Sequence, residues 1–261
     1  MPVCKKIFLA IIAAAVLLCL PSCKNSGSDA ADKLPELVVG SDEYAPYIYR
    51  GANDEYEGID VEISKEVCRR IGMTPKYKMI KWNEKNSYLE SGEIDCIMGS
   101  FSMNDREDDY LWAGPYYIGR QVAVVRSDSG IKTLAELEGK RVAVQSSTIP
   151  EKILLDNTSP RVPSVDRVYC FSTLSESFAS LSKGYVDACC GHEEAFEFYM
   201  KNLPDVYNIL DEPLMISQIG AAFAKNADKE LVSKFDAALK EIKNDGTVEK
   251  IVKRFLSGDE R

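Results

Sequence analysis

Gly119-Arg120-Gln121-Val122-Ala123-Val124-Val125 is the stretch from which the organisation of this chain follows. A short, largely β-branched apolar run after a glycine reads as a buried strand. To its N-terminal side lie Leu37-Val38-Val39, a short apolar strand, and a polar turn around Asp42. Gly58–Arg70 follows with Val61, Ile63, Val67, Cys68 and Ile71 at near-helical spacing. Lys76–Ile80 reads as a strand, Asn83–Ser91 as a helix closed by Gly92, and Ile94–Met98 as a buried strand. Together these form an α/β unit with a mainly parallel sheet.

To its C-terminal side the pattern restarts. Thr133-Leu134-Ala135-Glu136 carries a capping box that opens a short helix. Strand Arg141–Gln145, a helix from Ile149, strand Val168–Phe171, helix Leu174–Ser182, strand Val186–Cys190 and helix Glu193–Met200 make a second α/β unit. Ile219–Phe223 is a further strand, followed by helices Ala227–Lys243 and Val248–Leu256, broken at Asn244-Asp245-Gly246. The first of these helices sets Leu231, Phe235, Leu239 and Ile242 on one face. Two α/β units joined by two strands predict two lobes with a hinge: residues 36–119 with 219–261 form lobe 1, and 120–218 form lobe 2. Small ligands bind in clefts at such interfaces, and hinge closure around them is a known motion.

The N-terminus reads as a targeting segment. Lys5 and Lys6 precede an unbroken apolar run from Ile7 to Leu20, which is short for a bilayer span. Leu20-Pro21-Ser22-Cys23 resembles a bacterial lipobox, which implies a signal peptide over 1–22 and lipidation of Cys23. Residues 23–35, rich in small polar side chains, read as a flexible tether. The net charge is −9, and removal of residues 1–22, which hold two lysines and no acid, makes it −11. That argues against nucleic acid as a partner. Beyond Cys4, Cys19 and Cys23, the cysteines Cys68, Cys96, Cys170, Cys189 and Cys190 remain. They show no zinc-type spacing, and with a single histidine no metal or cofactor is expected. In an exported protein some of these can pair; Cys96, Cys170, Cys189 and Cys190 fall in apolar strand-like runs, and most of them read as buried small hydrophobes.

Seven short motifs occur in order along residues 36–257: Tyr44-Ala45-Pro46-Tyr47; Glu57-Gly58-Ile59-Asp60-Val61; Ser91-Gly92-Glu93-Ile94-Asp95; Arg106 with Gly114-Pro115-Tyr116-Tyr117; Val142 to Thr148 (VAVQSST); Gly184-Tyr185-Val186-Asp187-Ala188; and Asp245-Gly246-Thr247 with Phe255. On these the chain resembles the bacterial extracellular solute-binding proteins of polar amino-acid ABC importers. The resemblance implies an α/β, type II periplasmic-binding-protein-like fold. It also implies an exported, lipid-anchored protein that faces the extracytoplasmic side, holds an amino acid and meets an ABC permease. Its contact with the membrane would be through the lipid alone.

On charge pattern alone Arg106, among Asp105, Glu107, Asp108 and Asp109, reads as a solvated surface arginine. The resemblance makes it the carboxylate clamp, a role its planar fork suits. Ser100 and Ser102 fall where relatives offer backbone groups and a hydroxyl, although the spacing from Ser102 to Arg106 is one residue shorter than in many of them. Ser147 and Thr148 precede a helix start with a proline and an acid in its first turn, a pattern that also reads as a plain N-cap. The resemblance adds Thr148 to the carboxylate site. Many relatives place an aspartate for the ligand ammonium where this chain has His192, followed by Glu193. Either is expected in that role, with an acidic contribution from Asp42. Tyr44 and Trp82 fall where aromatic walls meet the ligand side chain.

The competing readings are an enzyme on the same fold, of the cyclohexadienyl dehydratase type with Glu193 as its acid, and a receptor sensor module. Fold alone does not separate them.

Overall fold

The computed structural model describes residues 33–157 and 159–257. The signal segment and Cys23 lie outside the described residues. The N-terminal part comprises β1 (Glu36–Ser41), the hairpin strands β2 (Tyr49–Arg50) and β3 (Tyr56–Glu57), α1 (Ile59–Ile71), β4 (Thr74–Met79), a 3-10 turn at Trp82–Glu84, α2 (Lys85–Glu90), β5 (Cys96–Ile97) and the long β6 (Leu111–Arg126). Helix α1 buries Ile59, Val61, Ile63, Val67 and Cys68 and is closed by left-handed Gly72, whose N–H reaches the Cys68 carbonyl. Asp60 and Glu62 in its first turn and Arg69 and Arg70 in its last suit the helix dipole.

The chain continues through β7 (Arg141–Gln145), α3 (Ile149–Asp156), β8 (Arg167–Phe171), α4 (Leu174–Ser182), β9 (Ala188–His192), α5 (Glu193–Met200), β10 (Tyr207–Ile209), β11 (Met215–Phe223), α6 (Lys229–Asn244) and α7 (Thr247–Ser257). The expected capping box at Thr133 is present and opens a 3-10 turn, Leu134–Leu137, rather than an α-helix. A second box opens α4: Thr173 Oγ1 accepts the Glu176 N–H at 3.2 Å, and Glu176 Oε2 accepts the Thr173 N–H at 3.1 Å.

Among the described residues the main sheet has the order β4-β1-β5-β11-β6-β9-β7-β8, with β10 also on β6. Pairs β1/β4, β1/β5, β7/β8 and β7/β9 are parallel, while β11 runs antiparallel to β5 and β6, and β6 antiparallel to β9. Strand β6 therefore serves both halves. Its residues Leu111–Gln121 pair with β11, and Gln121–Val125 pair with β9. Gln121 is the hand-over point, opposite both Met215 and His192.

This strand starts ten residues before the apolar run that announced it. The reason is a bulge: the register jumps between Ile219 and Ala221 on β11, opposite Tyr117 and Ala113, so Gly114-Pro115-Tyr116 is looped within the ladder. Proline, which lacks the ladder donor, is tolerated in such an irregularity. Gly114 has φ +121, and its N–H is taken by Asp236 Oδ1 at 2.9 Å.

The C-terminal helices return to the N-terminal part. Helix α6 packs on β6 and α1, burying Val232, Phe235, Ala238, Leu239 and Ile242. Arg70 Nη2 meets Asp245 Oδ2 at 2.7 Å, and Arg254 Nη2 meets Glu62 Oε2 at 3.1 Å. Among the described residues no helix is long and apolar enough to cross a membrane. Cys68, Cys96, Cys189 and Cys190 are buried free thiols. Cys170 departs from the expectation and is exposed, because its strand β8 ends the sheet and none of its residues is fully buried.

Candidate functional site

Gly99 (φ +96) and Ser100 (φ +57) follow β5 in the left-handed region. The Oδ2 atom of Asp60 accepts both of their backbone N–H groups, at 2.8 and 2.9 Å. This fixes a loop that a non-glycine residue at 99 would drive into the Ser41 side chain. Asp60 is fully buried, and burial raises its pKa to about 6.

The loop forms one wall of a narrow pocket. Asp42, Tyr44, Trp82, Ser100, Phe101, Ser102 and Arg106 line it from the N-terminal part. Gln121 lines it from β6, and Gln145, Thr148, Ile149, Leu174, Cys190 and His192 line it from the part that follows.

Arg106 is half-buried, and its guanidinium is spread over the Phe101 ring, 4.8 Å from the centroid. Nη1 donates to Ser102 O at 3.2 Å and Nη2 to Ser147 O at 3.3 Å, while Trp112 Nε1 donates to Arg106 O at 3.0 Å and pins its backbone. Among the described residues Arg106 makes no ion pair within 4.0 Å, despite the acids beside it in sequence. Burial lowers its pKa, with Tyr110, Asp109 and Asp105 opposing, and it stays charged.

Thr148 caps α3 in extended conformation, and its Oγ1 donates to Gln145 O at 2.6 Å. The first backbone N–H groups of that helix, at the positive end of its dipole, carry the anion preference there. Ser147 does not line the pocket; its N–H donates to Glu151 Oε2 at 2.6 Å and its carbonyl accepts from Arg106. Ser102 donates to Asn104 Oδ1 at 3.1 Å and accepts from Ser217 at 2.8 Å. The Ser100 hydroxyl is buried without a partner in the protein.

The two candidates for the ammonium separate. Glu193 Oε1 pairs with Arg120 Nη1 at 2.7 Å and does not line the pocket. His192 does line it, with its ring edge-on to Tyr44 at 6.1 Å and to Tyr47 at 6.0 Å. Burial drops its pKa to about 3, so the imidazole is neutral. Its Nε2 lies 2.7 Å from Gln121 Nε2. An amide N–H donating there puts the ring proton on Nδ1, which makes the free nitrogen a donor. Asp42 is the single carboxylate on the lining among the described residues. It is buried and accepts Gln145 Nε2 at 2.5 Å. Burial raises its pKa to about 6, opposed by that hydrogen bond and by Lys85.

Tyr44 and Trp82 are both buried on the lining. The Tyr44 hydroxyl accepts the His192 N–H at 3.4 Å. Trp82 stands edge-on to Phe101, and its Nε1 has no partner in the protein. Sequence reasoning missed Lys85, which is 6% exposed and stands beside the pocket lining rather than on it. Its Nζ lies 4.8 Å above the Trp82 ring and donates to Trp82 O and Ser147 O, both at 3.3 Å. It also missed Gln121, although a glutamine heading a run of apolar strand residues is itself a signal.

A pocket walled by residues from both ends of a shared strand, with a guanidinium free of ion pairs, a helix start and one carboxylate, defines a small-molecule binding protein of mixed α/β type. The chain belongs to the bacterial extracellular solute-binding proteins, family 3, whose model matches residues 37–258. It is 28% identical to the arginine-binding extracellular protein ArtP of Bacillus subtilis, over 98% of this chain and 99% of that one. It is also 28% identical to the L-cystine-binding protein TcyA of the same organism, over 97% and 96%. The arginine-, lysine-, histidine-binding protein ArtJ of Geobacillus stearothermophilus superposes with a TM-score of 0.75 at 28% identity, over 87% and 96% of the two chains. The fold is the type II periplasmic amino-acid-binding fold expected from the sequence.

Proposed function

We propose that this protein captures a free amino acid and hands it to an ABC importer, without chemical turnover. Arg106 and the N-terminus of α3 at Thr148 hold the α-carboxylate, and Asp42 holds the α-ammonium. Tyr44 and Trp82 flank the side chain, with Ser100, Gln121 and His192 supplying neutral polar contacts. The observation that carries this reading is the Arg106 guanidinium, turned onto the pocket with no ion pair among the described residues. Asp42 takes the ammonium role in preference to His192, which is neutral, and to Glu193, which Arg120 already engages.

In this reading residues 36–119 with 219–261 form one lobe and 120–218 the other, hinged on β6 and β11. Contacts that join the two include Arg106 and Lys85 to Ser147 O, Gln145 to Asp42, and Tyr47 Oη to Glu194 Oε2 at 3.0 Å. They define a closed state that a ligand bridging both lobes favours, and that state is what the permease reads. Cys23 is lipidated and tethers the body outside the cytoplasm.

The test is a thermal-shift screen of the purified protein against the amino acids. At least one raises the melting temperature, and Arg106→Met abolishes that rise. No stabilisation by any amino acid, or an unchanged shift in Arg106→Met, would defeat the proposal.

A further inference from the structure

Resting on that reading, we infer that the ligand is an amino acid whose side chain ends in a hydrogen-bond-accepting carbonyl, a carboxylate or carboxamide, and not arginine or lysine. The donor and acceptor inventory around the pocket carries this. Arg106 has five N–H groups, of which two meet Ser102 O and Ser147 O. Lys85 has three, of which two meet Trp82 O and Ser147 O. Trp82 Nε1 is a donor only, buried and without a partner in the protein. Against these donors the lining offers one carboxylate, Asp42, and one unpartnered amide oxygen, Gln121 Oε1.

Charge points the same way. Two side-chain cations share the Ser147 carbonyl: Arg106, on the pocket lining, and Lys85, packed on the Trp82 ring beside the lining rather than on it. Neither has a carboxylate within 4.0 Å among the described residues. A zwitterionic backbone uses Arg106 for its carboxylate and Asp42 for its ammonium. That leaves Trp82 Nε1, an unpartnered donor on the lining, for the side chain, with the positive charge of Lys85 next to the Trp82 ring. A carbonyl oxygen there satisfies the donor and is favoured by the charge. A guanidinium or ammonium would bring more donors and a second positive charge next to Lys85, with no second carboxylate to meet it.

The experiment is calorimetric titration of the purified full chain at pH 7.0 with glutamine, glutamate, arginine, lysine and leucine, and of Lys85→Met with the same set. The expected result is that glutamine or glutamate binds at least tenfold tighter than arginine, lysine or leucine. In Lys85→Met, glutamate loses at least tenfold while arginine is unchanged or improved. Tighter binding of arginine, lysine or leucine overturns this inference and leaves amino-acid capture standing. An equal loss for glutamate and arginine in Lys85→Met overturns the role given to Lys85. Failure of every amino acid to bind the wild-type chain overturns the underlying reading as well.

Discussion

Replacing Asp42 with asparagine should make the empty protein more stable and the loaded one weaker. Asp42 is buried, and its pKa moves from 3.8 to about 6, chiefly through desolvation. An acid held above its unfolded value binds its proton more tightly in the folded state. Stability is therefore unaffected below pH 4, falls as the pH rises toward 6, and stays lowered above it. The full penalty is about 3 kcal/mol at 1.36 kcal/mol per pKa unit. Asparagine is isosteric, keeps an oxygen for Gln145 Nε2, and carries no charge to desolvate. In a domain of this size about 3 kcal/mol corresponds to about 6–12 °C in melting temperature. The gain should be present at pH 7.5 and vanish at pH 4. The ligand ammonium, however, loses its counter-charge, which costs at least about 2 kcal/mol of binding, roughly thirtyfold in Kd. Scanning calorimetry of both proteins at the two pH values, with and without ligand, reads all of this. A stability difference independent of pH, or wild-type affinity in Asp42→Asn, would refute the reasoning.

Asp60→Ala, compared at pH 4, where the buried carboxyl is protonated and its desolvation penalty is absent, should destabilise by about 2–6 kcal/mol, because the N–H groups of Gly99 and Ser100 lose their acceptor and each buried orphan costs about 1–3 kcal/mol; urea unfolding checks it. Affinity for an acidic ligand should be greatest between about pH 6, below which Asp42 is protonated, and about pH 8, to which burial and the nearby Arg106 bring Lys85 down. Titrations across that range should give a bell, and a flat profile would count against both assignments. Incorporation of labelled palmitate in a bacterial host should depend on Cys23 and disappear in Cys23→Ser.

Much of the fold was legible because its signals are local and redundant. The apolar spacing of α1, the Gly92 stop after α2 and the Thr133 box each report on a few neighbouring residues. The long β6 was legible only from Gln121 onward, since Gly114-Pro115 reads as a break unless the opposing bulge at Gly220 is known, and that is a pairing fact from a hundred residues away. The site divides similarly. Arg106, Thr148, Tyr44 and Trp82 sit beside motifs and line one pocket. Glu193 looked available because Arg120, across the sheet, is invisible from its own helix. Lys85 carries no local signal, because a lysine on a polar segment is normally exposed, and its contact with the Ser147 carbonyl comes from a distant part of the chain.

The central claim is that the pocket recognises an α-carboxylate through Arg106 and the start of α3. It is tested most directly by comparing the Kd of the stabilising amino acid with that of its α-carboxamide, which keeps the side chain and the amine. The account predicts a loss of at least a hundredfold for the amide, and a smaller acid-over-amide preference in Arg106→Met, where only the start of α3 remains to favour the carboxylate. Equal affinity of the wild-type protein for acid and amide would contradict it.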